Sequence, residues 1–269
     1  MKLLQHLCWC ALLLAPLLAT LDLQAAGLPD TGQDTCYNDT VADSVPASDS
    51  ASISGDAGSH PRQDCRYGRD AAAAMGALTK IGAGAKGFDY SKIANNGSTL
   101  AAGTALGSNP TDWACTLDNT TGLAWEVKTT SGLRDMASTY TWYSTDSATN
   151  AGIAGTANGG VCSGGTGCDT EKFVSDVDTA ALCAYTDWRM PTKRELLTLI
   201  HAGVSSPSID STYFPNTQAA QFSSNFWSAS SWVPSPGDAW YVVFYDGGDG
   251  GPYSKANAYH VRLVRGVQF

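Results

Sequence analysis

The chain has 269 residues, with 16 Lys and Arg against 25 Asp and Glu and a formal charge of -9. A sparse, net-negative surface of this kind repels nucleic acid and sulfated polysaccharide on average, so neither is an expected partner. The length suffices for one large or two small domains with real cores.

Lys2 supplies a short positive start, and Leu7 to Leu21 is an apolar run. Leu23-Gln24-Ala25 then offers a small residue for cleavage. Residues 1–25 therefore read as a signal peptide; the run is too short for a comfortable membrane span, although a retained anchor is the alternative. The expectation is a secreted, periplasmic or cell-surface protein that meets the membrane only through this peptide.

Of the eight cysteines, Cys8 and Cys10 leave with the peptide. Cys36, Cys65, Cys115, Cys162, Cys168 and Cys183 remain, and an even set in an exported chain suggests disulfides. None are spaced C-x-x-C, which leaves redox and zinc-knuckle motifs unsupported. Cys168 and Cys183 flank a predicted helix and would sit roughly 20 Å apart, beyond disulfide reach. Cys162 and Cys168 flank the flexible Ser163-Gly-Gly-Thr-Gly167 and are the first pair expected. Six cysteines allow fifteen pairings and sequence does not choose among them; the similar stretches Gln33-Asp-Thr-Cys36 and Gln63-Asp-Cys65 favour Cys36–Cys65, with Cys115–Cys183 as the remainder.

Residues 26–111 read as an extended Gly/Ala/Ser-rich N-terminal region. Val41 to Ser59 has almost no large apolar residue and is expected to be a loop or linker. Gly82-Ala-Gly84-Ala-Lys-Gly87 formally matches the dinucleotide-binding glycine pattern. That pattern needs a preceding strand, a following helix and a later acidic residue. Phe88-Asp-Tyr-Ser follows with little helical signal, so a Gly-rich turn between short strands is expected.

From residue 112 to 269 the texture changes. Trp113–Leu117 and Leu123–Val127 read as strands around the turn composition Asp118-Asn-Thr-Thr-Gly122. Asp169 or Thr170 caps a helix with Phe173, Val174, Val177 and Leu182 on one face. Thr192-Lys-Arg-Glu195 is a capping box that opens a second helix, expected to end at Gly203. Strands follow at Phe226–Trp232, Ala239–Tyr245 and His260–Val267, joined by Pro-Ser-Pro-Gly and by the Gly-rich Asp246–Pro252. Strands, two helices, then strands indicate an α+β domain with an antiparallel sheet.

Trp125, Trp188, Trp227 and Trp240 are expected core anchors. Alternation puts Trp240, Val242 and Phe244 on the core face of their strand, with Tyr241, Val243 and Tyr245 on the other. Trp232, Tyr241, Tyr245, Tyr253 and Tyr259, with Asn257, are the candidate ligand-binding residues. They lie in or beside loops, where amphipathic rings can stack on sugars or peptide side chains. Asp246 and Asp249, with Asn257 and backbone carbonyls, form an oxygen set that calcium would take; a plain Gly-rich hairpin turn is the alternative. No catalytic residue is assigned: His60, His201 and His260 are scattered, and neither H-E-x-x-H nor G-x-S-x-G occurs.

Six ordered segments carry a family resemblance. They are Asp118-Asn-Thr-Thr-Gly-Leu-Ala-Trp125-Glu, Tyr185-Thr-Asp-Trp188-Arg-Met-Pro191-Thr-Lys-Arg-Glu195-Leu, Ile209-Asp-Ser-Thr-Tyr-Phe214-Pro, Phe226-Trp227-Ser-Ala-Ser, Ala239-Trp240-Tyr-Val-Val-Phe244-Tyr-Asp-Gly and Val261-Arg262-Leu-Val-Arg265-Gly. Over residues 112–269 the chain resembles the Lcl C-terminal domain family, named after a bacterial collagen-like adhesin. The resemblance implies a C-type-lectin-like fold and a secreted or surface-exposed bacterial binding module. Its partner would be a glycan or a protein, met through loops in 225–260. Some proteins with this kind of domain are receptors diversified by retroelements, which is the alternative reading. A formylglycine-generating-like enzyme is a further one, but no cysteine follows Cys183 to supply its late pair. The Glu-Pro-Asn, Gln-Pro-Asp and Trp-Asn-Asp signatures of calcium–sugar lectin sites are also missing.

Overall fold

The computed structural model describes residues 29–33, 36–37, 42–43, 64–163, 165–221 and 223–268. The predicted signal peptide and most of the Val41–Ser59 stretch lie outside them. Among the described residues, no helix is long and apolar enough to cross a membrane.

The elements run β1 (Cys36–Tyr37), β2 (Ala42–Asp43), α1 (Asp64–Tyr67), α2 (Arg69–Ala74), β3 (Tyr90–Ala94), β4 (Thr99–Leu100), β5 (Trp113–Asp118), β6 (Ala124–Glu126), β7 (Tyr140–Thr141), β8 (Gly160–Cys162) and β9 (Gly165–Cys168). They continue with α3 (Thr170–Thr179), α4 (Lys193–Leu197), β10 (Asn225–Ser231), β11 (Asp238–Val243), β12 (Asp249–Ser254), β13 (Ala258–Tyr259) and β14 (Val264–Arg265). Every named strand pair is antiparallel. This is the mixed helix-and-strand architecture expected of an α+β domain.

The largest sheet has the order β14-β6-β5-β3-β4, and a second has the order β10-β11-β12. The first sheet draws strands from both sides of residue 112. Tyr90–Ala94, expected within the extended N-terminal region, pairs along β5 and is fully buried. A continuous buried strand lacks the alternation that marks a half-exposed one, so periodicity could not flag it.

The two predicted helices form, but shorter than read. Asp169 caps α3 by accepting the Lys172 amide at 2.8 Å, and Phe173 and Val177 are buried. The helix stops at Thr179, and Ala181 and Cys183 turn with positive φ into a 3-10 segment. In α4 the Thr192–Glu195 capping box is present. The helix ends at Leu197 rather than Gly203. Thr198 Oγ1 bonds back to the Glu195 carbonyl at 2.7 Å, and Leu199 and Ile200 donate three residues back, tightening the last turn.

The predicted C-terminal strand over His260–Val267 is split. Ala258–Tyr259 pairs with β7 and Val264–Arg265 with β6. Between them Arg262 turns inward, and Leu263 N donates to Glu126 Oε2 at 3.1 Å.

Two apolar clusters form the core. One gathers Trp142, Phe173, Val177, Trp188 and Trp227, and the other Trp125, Leu196, Phe214, Phe226 and Phe244. Cys115–Cys183 ties β5 to the segment after α3, and Cys162–Cys168 closes the β8–β9 hairpin. Both pairings match expectation. Cys65 is disulfide-bonded, while the Cys36 side chain lies outside the described residues.

A buried ionic seam joins the C-terminal segment to β6. Glu126 pairs with Lys128 at 2.9 Å, with both side chains buried. Arg262 donates to the Glu126 carbonyl at 2.7 Å and to Thr217 Oγ1 at 2.8 Å, lying between Phe214 and Phe226. Burial pulls the Arg262 guanidinium down to about 10, and Glu126 opposes that shift. Arg189 makes a bidentate pair with Glu195, at 2.8 and 2.6 Å.

Candidate functional site

The alternation expected along β11 is corrected in one respect. Val242 and Phe244 are buried, but Trp240 is only half-buried. Lys193 Nζ, from the first turn of α4, lies 3.6 Å from the Trp240 ring centroid and bonds Asp249 Oδ2 at 2.7 Å. Ala239 and Tyr241 pack instead against the Trp227 cluster, so β11 is apolar on both faces.

The Gly-rich connection is also corrected. β11 ends at Val243, two residues before the expected Tyr245, and the chain turns over 244–248; Asp249–Ser254 is a strand at the edge of the three-stranded sheet. Glycine and proline suggested a loop, yet each has a place in this strand. A Cβ on Gly250 would lie 1.8 Å from Tyr241 Cε2, so the tyrosine ring occupies the space a side chain would fill. Pro252 needs no ladder partner on an edge. Trp240 pairs with Pro252 and Val242 with Asp249, which leaves one extra residue in β12. This bulge puts Asp249 and Tyr253 on opposite faces although they are four residues apart.

As a result, three of the predicted ligand-binding residues converge. Tyr241 lies 6.4 Å from Tyr253 and 5.1 Å from Tyr259, and Tyr253 stacks on Tyr259 at 6.1 Å with planes 24° apart. Trp227 backs the group, 4.6 Å from Tyr259 and 6.1 Å from Tyr241. Its indole N–H donates to the Tyr140 carbonyl at 3.0 Å, which fixes the ring. Tyr253 is 50% exposed, while Tyr241 and Tyr259 are half-buried. Burial and the neighbouring tyrosines push the Tyr259 phenol up to about 12, so that phenol is neutral at neutral pH.

The other candidates do not join this face by any ring contact. Tyr245 donates its amide to Ser224 Oγ at 3.0 Å, and the Trp232 amide closes a turn on Asp238. Asn257 Nδ2 bonds the Ser254 carbonyl within its own turn. Asp246 Oδ1 accepts the Gly248 amide, and Asp249 is held by Lys193, which lowers its carboxyl below the usual range. The predicted calcium set is thus engaged in a turn and an ion pair. The Gly82–Gly87 segment forms a turn, preceded by α2 rather than a strand. Its amides reach internal carboxylates, Ala85 to Asp210 and Gly87 to Asp70, each at 2.8 Å.

Sequence reasoning missed a cleft of about 730 Å³. It opens between the 142–151 segment, the first turn of α3, Arg189–Thr192 and the end of β10. Hydroxyls of Thr149, Thr170 and Ser230 and apolar groups of Val174, Met190 and Val233 share its walls. Glu171 accepts from Thr145 Oγ1 at 2.9 Å at its edge. Lys255 holds the wall from behind: Nζ donates to the Asn150 and Ile153 carbonyls at 2.9 and 2.7 Å and covers the Trp142 ring at 3.9 Å. The cleft was not legible because its walls come from four distant segments with no shared motif. His260 is buried against the Ser138 carbonyl, and burial lowers its pKa, so its ring serves packing.

The Lcl C-terminal domain family matches residues 114–265, more than half of the chain, and the protein belongs to that family. No curated protein and no solved structure matches the chain.

Proposed function

We propose that this protein is a secreted or surface-exposed, adhesin-like binding module of C-type-lectin-like architecture that takes a glycan on the Tyr241–Tyr253–Tyr259 face. Family membership supports an adhesin-like module. The observation that carries the site is the convergence of three tyrosines, backed by a fixed Trp227. Tyrosine presents a large apolar face with a polar tip, which suits the C–H faces and hydroxyls of a sugar. The two disulfides support an oxidising compartment. An uncharged face on a negative chain favours a neutral glycan over a sulfated one.

A second reading follows from the cleft. Its size is within the range of small-ligand sites, and its mixed apolar and hydroxyl walls would take a peptide segment of a protein target. The retroelement-diversified receptor would use this end of β10.

A glycan array probed with the full chain tests the first reading. Binding that Tyr253→Ala abolishes and the cleft-filling Ala229→Trp leaves intact supports the tyrosine face. Binding lost only in Ala229→Trp moves the site to the cleft. Absence of binding to every glycan overturns the glycan reading.

A further inference from the structure

Three carboxylates from two segments meet where the N-terminal region docks. Asp30, Asp64 and Asp70 each offer an oxygen within 4.8 Å of the others. Asp30 is 6% exposed and Asp70 3%. The second observation concerns what satisfies these groups. Neither oxygen of Asp30 accepts a well-aligned hydrogen bond, and neither does Oδ2 of Asp70, although all three atoms are buried; the Gly32 amide lies near Asp30 without aligning on it. An unpaired buried carboxylate is strongly unfavourable unless it is neutralised or coordinated.

The remaining lone pairs are spoken for in a way that aims these oxygens at one another. Asp70 Oδ1 accepts the Gly87 amide at 2.8 Å, and Thr31 Oγ1 donates to Asp64 Oδ2. Arg69, next to Asp70 in sequence, spends its Nε on the Gly87 carbonyl at 2.9 Å. Lys80 donates to the Gly84 and Lys86 carbonyls. A Cβ on Gly87 would lie 2.6 Å from Asp30 Oδ2, so glycine there keeps the space beside the carboxylate open.

We propose that Asp30, Asp64 and Asp70 form a calcium site that fastens the Asp30–Thr31 segment to α1 and α2. Hard oxygen donors select a hard cation. Calcium bonds at about 2.3–2.6 Å, so oxygens on one ion lie up to roughly 5 Å apart, which matches this cluster. The site's consequence is mechanical. Asp30 precedes Thr31, whose carbonyl accepts the Ala202 amide at 2.7 Å, and Asp64 and Asp70 begin α1 and α2. One ion would clamp both segments against the Gly82–Gly87 turn. The site is distinct from the Asp246 and Asp249 pair, and the inference does not depend on the glycan reading.

The competing arrangement is a proton shared between Asp30 and Asp70. Burial, then Asp70 and Asp64, push the Asp30 carboxyl up to about 7, with the Gly32 amide pulling it part of the way back. Calorimetric titration of the chelator-treated full chain with calcium chloride separates the two. The proposal expects one saturable site per chain and a rise in melting temperature. Asp30→Asn should weaken binding at least tenfold. It should also raise the melting temperature of the metal-free protein, because it removes one of three repelling charges. Asp249→Asn should bind calcium as the parent does, which keeps the ion off that turn, while the raised melting temperature of Asp30→Asn shows that its lost binding is not a loss of fold. No saturable binding up to millimolar calcium, with stability that rises as pH falls through about 7, would overturn the proposal and identify the shared proton. Binding lost in Asp249→Asn but kept in Asp30→Asn would overturn it as well.

Discussion

The ionic seam around Glu126 and the tyrosine face on β11–β13 are each built partly on the family segments, Glu126 and Arg262 in the one and Trp227 and Tyr241 in the other, and use them oppositely. In the seam, Glu126, Lys128 and Arg262 are buried, and these charges turn inward to hold the C-terminal segment on β6. On the tyrosine face the rings are graded outward, from fully buried Trp227 to half-exposed Tyr253. Residues of the family segments therefore mark the frame at one place and an outward aromatic face at another. Burial and partner saturation distinguish the two.

The sharpest way to break this contrast is to open the seam. Glu126→Ala leaves Lys128 with its charge buried and Leu263 N without an acceptor. Removing one partner of a buried pair costs about 3–5 kcal/mol, so urea unfolding should show a large loss of stability. A loss below about 1 kcal/mol would mean that the seam is not structural.

The two fully described disulfides come next. Cys115–Cys183 closes 68 residues and Cys162–Cys168 closes 6. By chain entropy the first stabilises by about 4 kcal/mol and the second by about 2. Paired Cys→Ala variants should follow that order in thermal unfolding under non-reducing conditions. Equal losses would show that local hairpin geometry, rather than loop closure, sets the contribution.

These elements also show how far the sequence could be read. Trp125, Trp188 and Trp227 are the core anchors expected, and the Thr192–Glu195 box caps a helix as its spacing requires. Loop flexibility points to Cys162–Cys168, while Cys115–Cys183 is only the pair left once Cys36 and Cys65 are matched. What stayed hidden has specific causes. Buried β3 lacks alternation. In β12 the glycines and proline imitate a turn, because the reason for Gly250 is the Tyr241 ring on a neighbouring strand. The half-exposure of Trp240 depends on Lys193, which arrives from α4. Local pattern carries no record of such long-range partners.

Lys255 tests the wall of the cleft through pH. Burial lowers its pKa to about 8, from the 10.5 of a free lysine. The folded form therefore releases the proton first, and the unfolded chain holds more protons between these values. Stability from this group is complete above about 10.5 and is lost as pH falls through about 8. The difference in stability between the parent and Lys255→Met should therefore shift in the parent's favour as pH rises across that window. A flat difference would mean that the ammonium keeps its solvent and does not brace the Asn150–Ile153 wall.

Smaller again is the Lys193–Asp249 pair, whose carboxylate is exposed. Asp249→Asn should cost less than about 1 kcal/mol, and the loss should shrink further in high salt. A loss several times larger would place this pair with the seam rather than with the surface.

Tyr253→Ala sharpens the comparison most although its effect on stability is the smallest. The ring is half-exposed and touches only Tyr241 and Tyr259 among its aromatic neighbours. Removing it should cost no more than about 1 kcal/mol, the scale of one or two aromatic contacts in water. Calorimetric unfolding should then superimpose nearly on the parent, while glycan binding falls by at least tenfold. The same experiment on Trp227→Ala should reverse the pattern, because that indole is fully buried and bonded to Tyr140. Large unfolding losses at Tyr253 would make the tyrosine face a continuation of the core. The ligand would then have to be sought in the cleft, beyond Ala229.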